Sequence, residues 1–104
     1  MDNFKAIYKI LRTLEAAMDC PEFDVKQIGR EELGVSQERW NRYMEMIVDV
    51  GLVKGVSVRQ DITGDIRINN DGVRITLKGL EYLTENSIMQ RLYKAAKGIR
   101  DVLP

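Results

Sequence analysis

The chain has 104 residues, enough for one domain to bury a core without disulfides or metals. Hydrophobic residues make up 44% and charged residues 31%, the balance of a folded chain rather than a disordered one. Sixteen basic and sixteen acidic residues cancel, so no overall field favours nucleic acid, and the lack of histidine removes Ser-His-Asp chemistry and most zinc or iron sites.

Residues 2–19 read as an amphipathic helix. Phe4, Ile7, Leu11, Leu14 and Met18 recur at alternating steps of three and four, and Tyr8 and Ile10 widen the stripe. A stripe this wide predicts a helix with two neighbours. Cys20-Pro21 ends it, because the residue before proline avoids the α region. Residues 21–28, "PEFDVKQI", read as a loop with a short extended piece around Asp24 to Lys26.

A short helix from Arg30 to Leu33 follows, stopped by Gly34. Val35 is an apolar plug in the turn. Ser36 is a natural N-cap, with Glu38 in the first turn of a helix predicted from Gln37 to about Val50. Trp40, Tyr43, Met44, Ile47 and Val48 line one face of that helix, and Gly51 stops it. Two helices joined by a tight glycine-containing turn make a helix-turn-helix, here over about 29–50.

Past Gly51 the apolar period changes from 3.6 to 2. "LVKGVSVRQ", "IRIN" and "VRIT" alternate, separated by the turns "DITGD" and "NNDG", and Asp71-Gly72 is a strong hairpin signal. These three strands predict a small antiparallel meander, the wing, over about 52–76. Thr76 is then expected to end the last strand and cap the next helix in one residue. Gly79 fits that helix where it crosses another backbone closely, and Leu77, Leu80 and Leu83 are expected to return to the core. Asn86-Ser87 breaks it, and a final helix runs from about Ile88 to Val102. Met89, Leu92, Ala96, Ile99 and Leu103 form a seam on it, with Arg91, Lys94, Lys97 and Arg100 opposite. The seam predicts packing on helix 1, within one chain or across a homodimer.

The order of elements is that of a winged helix-turn-helix: α+β, mostly α, with a small antiparallel sheet and an extra C-terminal helix, in a single domain over 1–104. "DVGLVKG" followed by "ITLKGLEYLTENSIMQRLYKAAKGIRD" resembles the YjcQ family, small winged-helix proteins of bacteria and their phages, and "ERWNRYMEMIVDVGLVKG" is similar to that family's third helix and the start of its wing. The resemblance spans nearly the whole chain. It implies the fold and, by analogy with other winged helices, a DNA-binding role such as that of a phage or prophage transcriptional regulator.

For duplex reading the candidates are Gln37, Arg39, Asn41 and Arg42 at the start of the second helix of the motif, with Arg59, Gln60 and Arg67 on the wing. Arginine pairs bidentately with guanine, and Gln or Asn with adenine, while wing cations reach phosphates or the minor groove. The helix itself argues back. At about 100° per residue, the face opposite Trp40 holds Arg42 but also Glu38, Glu45 and Asp49. A mixed, solvated face therefore competes with a DNA face, and a protein-docking module without DNA is the alternative function. Trp40 itself is expected as a core anchor rather than a stacking platform.

No catalytic constellation stands out, so an enzyme is not expected, nor any cofactor or metal. "VKGVSV" lacks the Walker spacing, and "RINNDG" would place Arg67 and Lys78 where a calcium loop needs oxygen ligands. The one cysteine, Cys20, is expected to be a buried or packed thiol in a reducing compartment. No apolar run approaches the ~20 residues of a membrane span, and "MDNFKAIYKI" carries charges where a signal peptide is apolar; a cytoplasmic protein is expected.

Overall fold

Asp2 opens the fold: its carboxylate accepts from the backbone N–H groups of Phe4 and Lys5 at 2.8 and 3.2 Å and starts helix α1 (Asn3–Ala16). The computed structural model describes residues 2–86. The predicted final helix, its Met89, Leu92, Ala96, Ile99 and Leu103 seam and the basic face opposite lie outside the described residues. After α1 come α2 (Arg30–Leu33), α3 (Gln37–Asp49), strands β1 (Val53–Lys54), β2 (Ser57–Gln60), β3 (Ile66–Asn69) and β4 (Arg74–Ile75), and a helix α4 over 77–86.

Helix α1 buries Ala6, Ile10, Leu11 and Leu14 and meets three neighbours: α3, the turn before α2, and β4. The buried face is rotated from the expected stripe. Ala6, Ile10 and Leu14 set its axis, and Phe4 and Met18 are exposed by 70% and 61%. A periodic stripe fixes a helix's apolar side but not which part of it the neighbours cover. The α-helix stops at Ala16 and tightens into a 3₁₀ turn (Ala17–Asp19), and pre-proline Cys20 is extended (φ −101°, ψ 127°). Cys20 is exposed, not buried as expected. The extended piece expected around Asp24 to Lys26 is instead a 3₁₀ turn over Val25–Ile28, because the Asp24 carboxylate accepts from the Lys26 N–H at 3.0 Å and caps it.

The helix-turn-helix forms as its local signals predict. Gly34 terminates α2 in the left-handed region (φ 68°), and the Ser36 hydroxyl accepts from the Arg39 N–H at 3.1 Å to start α3. Trp40, Tyr43, Met44 and Ile47 are buried, and Val48 is half-buried against them. The Trp40 indole N–H donates to the Ile28 carbonyl at 2.8 Å. Tyr43 Oη and Arg39 Nη1 both donate to Asn3 Oδ1, at 2.6 and 2.7 Å, which ties α3 to the first turn of α1.

The three-stranded meander does not form. The β residues divide into two antiparallel ladders, β1–β4 at the base and β2–β3 as a projecting hairpin. The predicted "VRIT" strand pairs with the start of the first strand, and "NNDG" becomes a linking turn, with the Val73 N–H bonded to the Asn70 carbonyl at 3.1 Å. The cause is a close approach of two glycines. Gly55 breaks the first strand at φ 78°, and a Cβ on it would overlap the carbonyl of Gly72 on the returning chain. No side chain fits at Gly55, so the first strand breaks there, and β2 leaves the base ladder to pair with β3.

Thr76 does both jobs expected of it. Its hydroxyl accepts from the Gly79 N–H at 3.1 Å, capping α4, and donates to the Gly51 carbonyl at 2.5 Å. Gly79 is buried at the predicted crossing, where a Cβ would overlap the Leu52 carbonyl and the Ile75 side chain. Leu83 is buried and Leu80 half-buried, but Leu77 is 73% exposed. Residues three apart drift by about 60° per step on a helix, so three leucines so spaced spread over too wide an arc to share one face. Asn86, expected to break the helix, is still helical, with Nδ2 donating to the Tyr82 carbonyl at 2.9 Å.

Candidate nucleic-acid interface

The seven candidate residues all reach the surface of α3 and the wing, and the structure divides them into groups. On α3, Gln37 Nε2 donates to Asn41 Oδ1 at 2.9 Å, so the two amides are engaged with each other. Arg39 is drawn sideways onto Asn3. Arg42 remains on the outward face, between Glu38 and Glu45 on the helix surface and with Asp49 further along. The helix N-terminus borders a hollow of about 270 Å³ whose lining includes Lys26, Arg30, Gln37 and Asn70.

The hairpin sorts its residues by alternation. Ser57 faces Asn69, Val58 faces Ile68, Arg59 faces Arg67 and Gln60 faces Ile66 across the β2–β3 ladder. Opposed residues share a side, and successive pairs alternate sides. Ile68 packs on the core, so Val58, Ile68, Gln60 and Ile66 form the side turned toward the helices. Ser57, Arg59, Arg67 and Asn69 form the other side. Gln60 is thus separated from the two arginines it was grouped with, and its amide donates to the Gly64 carbonyl at 3.2 Å. Between α3 and the inner side of the hairpin runs a groove of about 490 Å³, lined by Glu45, Val48, Asp49, Val56, Val58 and Ile66, with Arg59 and Gln60.

The base ladder repeats the motif of like charges. Lys54 stands opposite Arg74, both exposed, while Val53 and Ile75 face inward. The four strands together carry Lys54, Arg59, Arg67 and Arg74 and no carboxylate. Like charges directly opposed across strands are destabilising, so the arrangement is unfavourable for folding alone. Lys54 and Arg74 were not among the sequence candidates. The signal that finds them is the alternation itself, once β1 is paired with β4 rather than read into a meander.

The acids of the wing sit in its turns. Asp61 organises the hairpin tip: Oδ1 accepts from Thr63 Oγ1 at 2.6 Å, the Thr63 N–H at 2.9 Å and the Asp65 N–H at 3.0 Å, and Oδ2 accepts from Arg67 Nε at 3.3 Å. These bonds hold its carboxyl below the ordinary value of 3.8, the Thr63 hydroxyl contributing most, then the Asp65 and Thr63 amides and the Arg67 guanidinium, against an opposing push from desolvation.

The family model of the YjcQ protein matches residues 8–102 of this chain. The chain belongs to the YjcQ family. Comparison with curated proteins gave no match, and comparison with solved structures gave none either. In this YjcQ-family chain, no helix among the described residues is long and apolar enough to cross a membrane.

Proposed function

We propose that this chain binds duplex DNA through a surface centred on the wing and flanked by the helix-turn-helix, in the role of a transcriptional regulator of the kind found in bacteria and phages. The role is binding, without catalysis. The observation that carries it is the set of four cations on the wing strands, in two directly opposed like-charged pairs, with Arg67 paired to a carboxylate of the hairpin tip, Asp61. A polyanion that neutralises both pairs turns an unfavourable arrangement into a favourable one. Lys26 and Arg30, beside the start of α3, add positioning contacts where the first helix of such a motif crosses the phosphate backbone.

A second reading has its own support. Glu38, Glu45 and Asp49 on the exposed side of α3, together with the aliphatic groove beneath the hairpin, favour a protein partner. Selection of bound duplexes from a random library, followed by affinity against salt for the winner, separates the two. The DNA proposal predicts enrichment and a steep loss of affinity with salt. No enrichment and no binding at low salt would favour the docking module.

A further inference from the structure

We infer that the wing, rather than helix α3, is the element that enters the groove of the duplex, with Arg59 and Arg67 as a paired phosphate and base-edge contact. The inference rests on the DNA-binding proposal above and names which surface does the reading.

The outer side of the β2–β3 ladder presents Ser57, Arg59, Arg67 and Asn69 together. Each has a donor free to point outward. Asn69 Oδ1 already accepts from the Asp71 N–H at 3.0 Å, which leaves its amide nitrogen to donate. Arg67 is held through Nε by Asp61, so its two terminal nitrogens remain while the guanidinium is fixed in direction. The side chain of Arg67 is 77% exposed. A two-stranded β-ribbon is one of the two elements that the major groove admits, so the hairpin has suitable dimensions for the task.

Helix α3 is poorly disposed to compete. Its outward face carries Glu38, Glu45 and Asp49 around Arg42, and phosphates on either side of a groove repel carboxylates. Its other candidate readers are occupied: Gln37 and Asn41 with each other, Arg39 with Asn3. Wing-first docking leaves α3 beside the duplex, with the base pair of cations, Lys54 and Arg74, along the flanking backbone.

The test is affinity against salt for the duplex enriched from a random library, comparing wild type with Arg59→Ser/Arg67→Ser and with Gln37→Ala/Arg42→Ala. The wing variant removes an opposed like-charged pair, so its fold is expected to hold and its thermal midpoint serves as the control. We expect the wing variant to lose at least about tenfold in affinity and to lower the salt slope by roughly 2. The helix variant should change affinity by less than about twofold, with the enriched motif unaltered. A helix variant that abolishes selectivity while the wing variant binds normally would overturn the inference and leave DNA binding intact. Failure of the wild-type chain to bind any duplex at low salt would overturn the DNA proposal, and the inference with it.

Discussion

Helix α3 and the wing solve the same problem, holding polar residues at a surface, in opposite ways. Helix α3 is anchored by side chains: Trp40, Tyr43, Met44 and Ile47 are buried, and Trp40 and Tyr43 also hydrogen-bond outside their helix. The β2 strand has no buried residue, and the hairpin stands on backbone ladders, a glycine crossing and one organised turn. An element held by its core face keeps an outward face of mixed composition, as α3 does. An element held mainly by its backbone gives its outer side chains lighter structural duty, and on the wing these are Ser57, Arg59, Arg67 and Asn69, with Arg67 held by Asp61. Function is therefore best sought on the side that folding does not need.

That contrast is open to attack from either region. Trp40→Ala should have the largest effect, about 3–5 kcal/mol of lost stability, since it removes a buried indole and orphans the Ile28 carbonyl. Urea unfolding measures it, and a loss under about 1 kcal/mol would mean that α3 is not anchored as described. Gly55→Ala should cost roughly 2–4 kcal/mol by combining a left-handed backbone with an overlap at Gly72. If that variant were as stable as wild type, the two-ladder wing would be wrong and a continuous strand right.

Smaller changes probe the same two regions more finely. Thr76→Val deletes the cap of α4 and its bond to the Gly51 carbonyl, for about 1 kcal/mol in the same unfolding assay. Arg59→Ser should move stability the other way, raising it by roughly 0.2–1 kcal/mol by relieving its opposition to Arg67. A clear destabilisation by that change would show that Arg59 serves the fold.

The smallest effect is at the wing tip. Asp61 has a lowered pKa in the folded chain, so its hydrogen bonds contribute fully above the unfolded value and are lost only as pH falls through the folded one. The Thr63 and Asp65 amide resonances should therefore titrate with a midpoint below 3.8 and show no change near neutrality. A midpoint at or above 3.8 would mean that the clip to Thr63 does not form in solution.

What the sequence revealed follows the range of the interactions involved. Gly34, Ser36 and Thr76 act within three or four residues, and each caps the helix that its type and position predict. Gly79 was legible because a glycine inside an apolar helical pattern weakens the helix unless a close backbone crossing requires it. The pairing of β1 with β4 was hidden, since it depends on Gly55 meeting Gly72 across the fold, and Lys54 and Arg74 were missed with it. Phe4, Met18 and Leu77 show the same limit for helices: periodicity indicates an apolar side, while exposure depends on how far the neighbours extend. On the candidate interface, the bonds that engage the α3 residues, Gln37 to Asn41 and Arg39 to Asn3, exist only in three dimensions.

If the outer side of the wing, and not the outward face of α3, meets the partner, then amide chemical-shift mapping during titration with an enriched duplex will show it. Shifts are expected to concentrate at Ser57, Arg59, Arg67 and Asn69, with residues from Glu38 to Asp49 nearly still. Shifts concentrated on Glu38, Arg42 and Glu45, with the hairpin unmoved, would contradict wing-first docking.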